Sequence, residues 1–165
     1  TTEDLATFKG EHYEINEAIN QPKPLQKPHP PLWVCGGGEK VTLKLLAKYG
    51  DYGNWDVDVE GFISKSEILK QHCDKENRNY EEIGRTLHTN VIIGNDQSDL
   101  NNKLERISND TGIPKDIYLK KPLVGVKNEV FDKIDEFESH GCVYLISYIA
   151  DIVWGDTLDI LKEKL

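Results

Sequence analysis

The sequence predicts an α/β fold built on a parallel sheet. Four short strand-like runs, Leu32–Cys35, Tyr52–Trp55, Thr86–Ile93 and Cys142–Ile149, alternate with helical stripes. Strands alternating with helices form βαβ units, whose right-handed crossovers bring every strand's carboxyl end to one side. Three glycines, Gly36, Gly37 and Gly38, directly follow the first run. They put a turn without side chains at one of those ends, where α/β proteins bind their ligands.

Each element has its own signal. Phe8 to Pro31 reads as an extended arm, because Pro22, Pro24, Pro28, Pro30 and Pro31 push the residues before them out of the helical region. Phe8, Tyr13, Ile15 and Leu25 are apolar side chains able to pin that arm to a surface. Leu32–Cys35 is apolar without alternation, which suits a strand buried on both faces. Val41, Leu43, Leu45, Leu46 and Tyr49 give a helical stripe over Glu39–Tyr49, stopped by Gly50. Tyr52–Trp55 is a very short second strand. Phe62, Ile63, Leu69 and Cys73 mark a helix over about Val59–Lys75. Thr86–Ile93 is rich in β-branched residues. Leu100, Leu104 and Ile107 share a helix face, and Thr111–Leu123, with two prolines, reads as an irregular insertion. Val130, Ile134 and Phe137 make a further stripe closed by Gly141. Cys142–Ile149 is the last strand, and Leu158, Leu161 and Leu165 mark a terminal helix.

The composition narrows the function classes. The 165 residues carry 20 basic and 29 acidic side chains, a formal charge of −9. That excludes nucleic acid or an anionic membrane as the main partner, since those surfaces call for a basic face. The longest uncharged apolar stretch, Cys142–Ala150, is too short to span a bilayer. The segment TTEDLATFKG has no basic region, apolar core or cleavage site, so a cytoplasmic location is expected. There is no methionine, which fits initiator removal or a chain cut from something longer. Cys35, Cys73 and Cys142 lack C-x-x-C spacing and are expected to be free thiols. His72 and Cys73, adjacent on a helix, point about 100° apart and do not suit a shared metal. No His/Cys/Asp cluster has ligand spacing, so no metal site is expected.

The triple glycine admits several readings. A dinucleotide fingerprint would need a small residue at position 41, where the chain has Val41; Asp56 or Asp58 would serve as its acidic residue. A P-loop is excluded because no Gly-Lys-Ser/Thr follows. A phosphate cradle remains: glycines let backbone N–H groups approach an anion, a helix beginning near Glu39 adds free N–H groups, and Lys40 adds a point charge. A plain strand-to-helix turn also remains.

Order and spacing then tie the segments together. Phe8, Gly10 and Tyr13 form F-x-G-x-x-Y, and Pro22-Lys23-Pro24-Leu25-Gln26 forms P-x-P-x-Q. A Pro-Pro-hydrophobic-Gly-Gly segment spans Pro30–Gly38, and "YGDYGNW" closes the following helix. "KSEILKQHCDKENRNYEEIGRT" and "VGVKNEVFDKIDEFESHGCVYLI" continue the series. Nearly the whole chain resembles the luciferase-like monooxygenase superfamily, and within it the branch of coenzyme F420-dependent oxidoreductases. The departures are local: Val126-Lys127 stands where the family has Thr-Pro, and Asn77-Arg78-Asn79 where it has Gly-Arg-Asp.

The resemblance implies a partial TIM (β/α)8 barrel: about four C-terminal βα units at 32–165, preceded by the proline-rich arm at 1–31, all within one domain. Such barrels run to roughly 250 residues or more. It implies F420, or alternatively FMN, as cofactor, a small-molecule substrate, and a two-electron transfer whose acid/base residues lie in the N-terminal half. Gly36, Gly37 and Gly38, with the amides of Glu39 and Lys40, are implied to hold the cofactor phosphate. Asn54 and Trp55 are implied as pocket wall, with core packing the other reading of Trp55. A half-barrel exposes two sheet edges, which predicts a homodimer or pairing with an N-terminal half. A non-enzymatic half-barrel module that binds a phosphate-bearing ligand is the other reading of the chain.

Overall fold

A computed structural model describes residues 3–164. It divides into two compact units, Thr1–Leu32 and Trp33–Leu165. In the first, the expected arm contains a hairpin: β1 (Ala6–Lys9) pairs antiparallel with β2 (Glu14–Ala18), with Phe8 opposite Ile15. Its apolar side chains Phe8, Tyr13, Ile15 and Leu25 are exposed.

The second unit alternates strands and helices: β3 (Trp33–Cys35), α1 (Thr42–Tyr49), β4 (Tyr52–Trp55), α2 (Val59–Glu76), β5 (Gly84–Gly94), α3 (Gln97–Thr111), α4 (Lys115–Tyr118), β6 (Leu123–Val126), α5 (Lys127–Ser139), β7 (Cys142–Tyr148) and α6 (Thr157–Lys162). All strand pairs in its sheet are parallel, as predicted. The order β3-β4-β5 continues with both β6 and β7, because β5 is long enough to serve three neighbours. Its residues 84–87 pair with β4, 85–90 with β7, and 91–94 with β6.

Two expectations fail at the margins. Leu32–Cys35 is not buried on both faces: among the described residues β3 is an edge strand, paired only with β4, and Trp33 and Cys35 are exposed. The stretch 111–123 is not wholly irregular. It holds α4 and leads into β6, a four-residue strand that the short run Leu-Val-Gly-Val, abutting a helix, does not announce. In the terminal helix, Ile160 and Leu161 are the buried side chains, and Leu165 lies outside the described residues.

The period-2 pleat of β5 sorts its side chains between two faces. Leu87, Val91 and Ile93 join Trp55 in the main core against α1, α2, α5 and α6. Thr86, His88 and Asn90 point the other way. On that second face Trp33 stacks on Tyr52 (centroids 4.5 Å apart) and meets Tyr144 edge-on at 5.9 Å. Trp33 and Tyr144 belong to β3 and β7, with β4 and β5 between them, so the sheet curls and this face is concave. Beyond the concavity, Ile92 on the same face is covered by α3 and α4 through Leu100, Leu104, Ile107 and Tyr118.

Helix ends follow their local chemistry. Asp58 caps α2, accepting from Gly61 N at 2.8 Å, and Asp96 caps α3 through Asp99 N at 2.9 Å. Gly141 ends the turn after α5 at φ +86°, a region that favours glycine.

Two stability predictions follow from this packing. Phe62, fully buried, lies between Trp55 (5.3 Å) and Phe137 (5.6 Å), both edge-on. Phe62→Ala should lower unfolding free energy in urea by about 3–5 kcal/mol, whereas Lys120→Ala on the surface should change it by under about 0.5 kcal/mol. The buried Lys103 ammonium donates to Ile93 O (2.5 Å), pairs with Asp156 and lies 3.3 Å from Asp99 Oδ2. The Lys103 hydrogen bond holds the Asp156 carboxyl below its ordinary range. A carboxyl depressed in the folded state stabilises fully above its unfolded pKa, about 3.9, and ceases to do so as pH falls through the folded value. Asp156→Asn should therefore destabilise at neutral pH, and its difference from wild type should shrink in urea melts taken progressively below pH 4.

Candidate functional site

The turn after β3 is built from backbone. Gly36, at φ +101°, donates its N–H to Asn54 O (3.2 Å), which fixes the start of the turn to the end of β4. The chain does not enter a helix at Glu39, as the sequence suggests, but at Thr42. Residues Glu39 to Val41 form a turn, and Leu43 N reaches back to Gly38 O at 3.0 Å. Among the described residues, no protein acceptor stands against the N–H of Gly37, Gly38, Glu39 or Lys40. An unpaired run of amides ahead of a helix is a feature that an anion can occupy.

Side chains from elsewhere wall this turn. Lys65, on α2, donates from Nζ to Gly37 O at 2.9 Å, and a Cβ at Gly37 would lie 2.6 Å from that ammonium. A Cβ at Gly38 would lie 2.8 Å from Thr42 Oγ1. His72, also on α2, donates from Nε2 to Glu39 O at 2.8 Å. The glycines thus leave room for a cation and a hydroxyl as well as for a ligand. The sequence offered Lys40 as the local cation. Lys65 stands 28 positions from Gly37, and only the packing of α1 on α2 brings it there. Its spacing to His72, seven residues on one helix face, is the one sequence signal that the two act on the same neighbour.

Beside the turn, a polar row crosses the concave face. Register places Cys35, Asn54, Thr86 and Tyr144 on adjacent strands at one level. The Thr86 hydroxyl lies 2.9 Å from both Asn54 Oδ1 and Gly53 O, and Asn54 Nδ2 lies 4.0 Å from Cys35 Sγ. Asn54 and Thr86 are buried, while Cys35 is exposed. One layer nearer the strand ends stands His88, whose Nδ1 is buried with no partner among the described residues.

Of the residues expected to form the site, Gly36, Gly37, Gly38, Glu39, Lys40 and Asn54 come together at this strand end. Trp55 does not. It faces the helices, 1% exposed, against Phe62, so core packing is the reading that holds. Asp56, at the end of β4, is tied to Lys121 of the insertion at 2.5 Å. The thiols of Cys73 and Cys142 are pushed up chiefly by burial and have no part in the turn. Among the described residues no group of three or more His, Cys, Asp or Glu could hold a metal ion. Bare amides, Lys65 and the Thr42 hydroxyl fit a phosphate group, while the concave face offers aromatic and neutral polar surface.

No protein-family model matches the chain. Solved structures do. An F420-dependent secondary alcohol dehydrogenase, solved with an F420-acetone adduct, matches with a TM-score of 0.74 at 15% identity, over 99% of this chain and 56% of its own. The coenzyme F420-dependent tetrahydromethanopterin reductase of Methanopyrus kandleri matches at 0.69 and 14% identity, over 93% and 55%. A riboflavin lyase with modified FMN and riboflavin matches at 0.72 and 13% identity, over 97% and 47%. The chain therefore spans about half the length of the structures it matches. Over that span it has the fold of these F420-dependent enzymes and of the riboflavin lyase.

Proposed function

We propose that this chain is the C-terminal half of a luciferase-like oxidoreductase or monooxygenase that uses F420, or alternatively FMN, and that it contributes the cofactor's phosphate-binding loop. The observation that carries this is the run of unpartnered amides at Gly37, Gly38, Glu39 and Lys40 beside Lys65, at the carboxyl end of a parallel strand. Either cofactor ends its ribityl chain in a phosphate and supplies two-electron chemistry at its ring, with oxygen activation open to the flavin. This chain's residues bind and orient. The amides and Lys65 take the phosphate, Thr42 offers a hydroxyl, and the Asn54–Thr86 row sets a neutral floor on the concave face. The acid/base residues belong to the other half of the barrel on this reading. The three free thiols suit a reducing cytoplasm, and no described helix is long and apolar enough to cross a membrane.

A specific observation also favours association with a second half-barrel. Among the described residues both sheet edges are open, β3 pairing only with β4 and β7 only with β5, and Trp33, Val143, Tyr144 and Tyr148 on those strands are exposed. A cavity of about 240 Å³ beside β7 is lined by Leu87, Leu123, Ile134, Phe137 and Leu145. Core side chains left open along an edge strand call for a covering partner. An N-terminal half or a second copy would cover them.

Titrating F420 and FMN while following chromophore fluorescence tests the function. Binding below millimolar concentration is expected for at least one, and its absence for both would remove the cofactor assignment. Gly37→Asp should abolish that binding, because its carboxylate would collide with Lys65 and face the phosphate. Lys65→Met should weaken it about 10-fold, the scale of one charge-assisted hydrogen bond. Unchanged affinity in both variants would place the phosphate elsewhere.

A further inference from the structure

We propose that His88 is this chain's contact to the tricyclic ring of the bound flavin or deazaflavin, made through Nδ1; the inference rests on the cofactor reading above.

Register fixes where His88 stands. Thr86 shares a level with Asn54 and Cys35, the last residue of β3, so His88, two residues further along β5, stands one layer beyond that row on the concave side. The glycine turn leaves β3 directly after the same row, with β4 lying between β3 and β5. Adjacent strands are about 4.8 Å apart, so β3 and β5 are roughly 10 Å apart before the curl shortens the gap. A five-carbon ribityl chain spans about that distance between a phosphate and a ring.

The chemistry at that position is also unspent. Lower on the face, Thr86 and Asn54 satisfy each other. His88 Nδ1 is buried and has no partner among the described residues. An unmatched buried polar atom is costly, and a ligand that completes its hydrogen bond removes the cost. Flavin and deazaflavin rings carry carbonyl and imide groups along one edge, able to accept from or donate to an imidazole nitrogen. Tyr148 adds an aromatic wall: its ring meets His88 edge-on at 6.2 Å and is 57% exposed, so it presents free surface beside the imidazole. Above, Ile92 on the same face is covered by α3 and α4. A planar group resting between them would have Tyr148 for packing and His88 for orientation.

The test uses the chain itself, labelled with ¹⁵N in backbone and histidine, and four probes: inorganic phosphate, riboflavin, FMN and F420. Phosphate should move the amide signals of Gly37 to Lys40 and leave the His88 imidazole unmoved. Riboflavin, which has no phosphate, should move the His88 imidazole. A bound phosphorylated cofactor should move both. His88→Ala should weaken riboflavin and cofactor binding alike by about fivefold, the scale of one neutral hydrogen bond, and leave phosphate binding intact. His88→Gln, which keeps a polar head group, should recover part of the loss. Cofactor binding that moves the glycine amides but neither the His88 signals nor the affinity of the variants would overturn this proposal and leave the phosphate site standing. If neither cofactor binds, both readings fall together.

Discussion

The pleat of one strand organises this molecule. Among the described residues, β5 alone is paired with three other strands, and its eleven residues alternate between a helix-packed side and a concave side. Leu87, Val91 and Ile93 anchor the core, while Thr86, His88 and Asn90 line the hollow. A slip of one residue in its register would turn the leucine and isoleucine into the hollow and the histidine into the core. The core thus fixes the concave face as a by-product. The hydrophobic gain of burying Leu87 and Val91 against the helices is what holds Thr86 against Asn54 and keeps His88 on the concave side.

β4 obeys the same alternation in miniature, and it shows what sequence can and cannot convey. Asn54 and Trp55 are neighbours at a strand end, so a linear reading assigns both to the site. The pleat sends them to opposite faces, and the apolar indole goes to the core. The parallel α/β class, the strand at 84–94 and the stripes of α2, α3 and α5 were legible because they depend on local periodicity and on caps such as Asp58 and Asp96. The place of Lys65 beside Gly37 was not, because it comes from one helix lying on another, a contact with no signature in spacing to Gly37. The exposure of β3 was hidden for a related reason. Leu-Trp-Val-Cys reads as an inner strand, and whether a neighbour covers its outer edge depends on pairing with residues distant in the chain.

The stretch between β5 and β6 covers one end of the concave face. Its helices α3 and α4 bury Ile92, and it is pinned twice, by Lys103 to Asp156 and Ile93 O and by Lys121 to Asp56. The second tie lands on the residue directly after β4, beside the Gly36–Asn54 bond that starts the glycine turn. The end of β4 is thereby tied both to the start of the glycine turn and to the stretch before β6. That is compatible with three consecutive glycines, whose backbone freedom would otherwise work against a fixed array of amides.

A protein of charge −9 holding a phosphate requires attraction that acts at short range. Repulsion from distant carboxylates is screened over roughly 8 Å at physiological ionic strength, whereas amides and an ammonium in contact with the ligand are not. The N–H groups of Gly37 to Lys40 are dipoles without net charge, so they add nothing to the long-range field yet act fully at contact. Lys65 sits half-buried against Gly37 O, where solvent screens it less than an exposed side chain such as Lys40. The carboxylate of Glu39 is exposed, and its backbone amide is what belongs to the turn. On the proposed reading, local geometry outweighs the net charge: extended polyanions need a broad basic face, whereas a single phosphate on a glycine turn needs only these contacts.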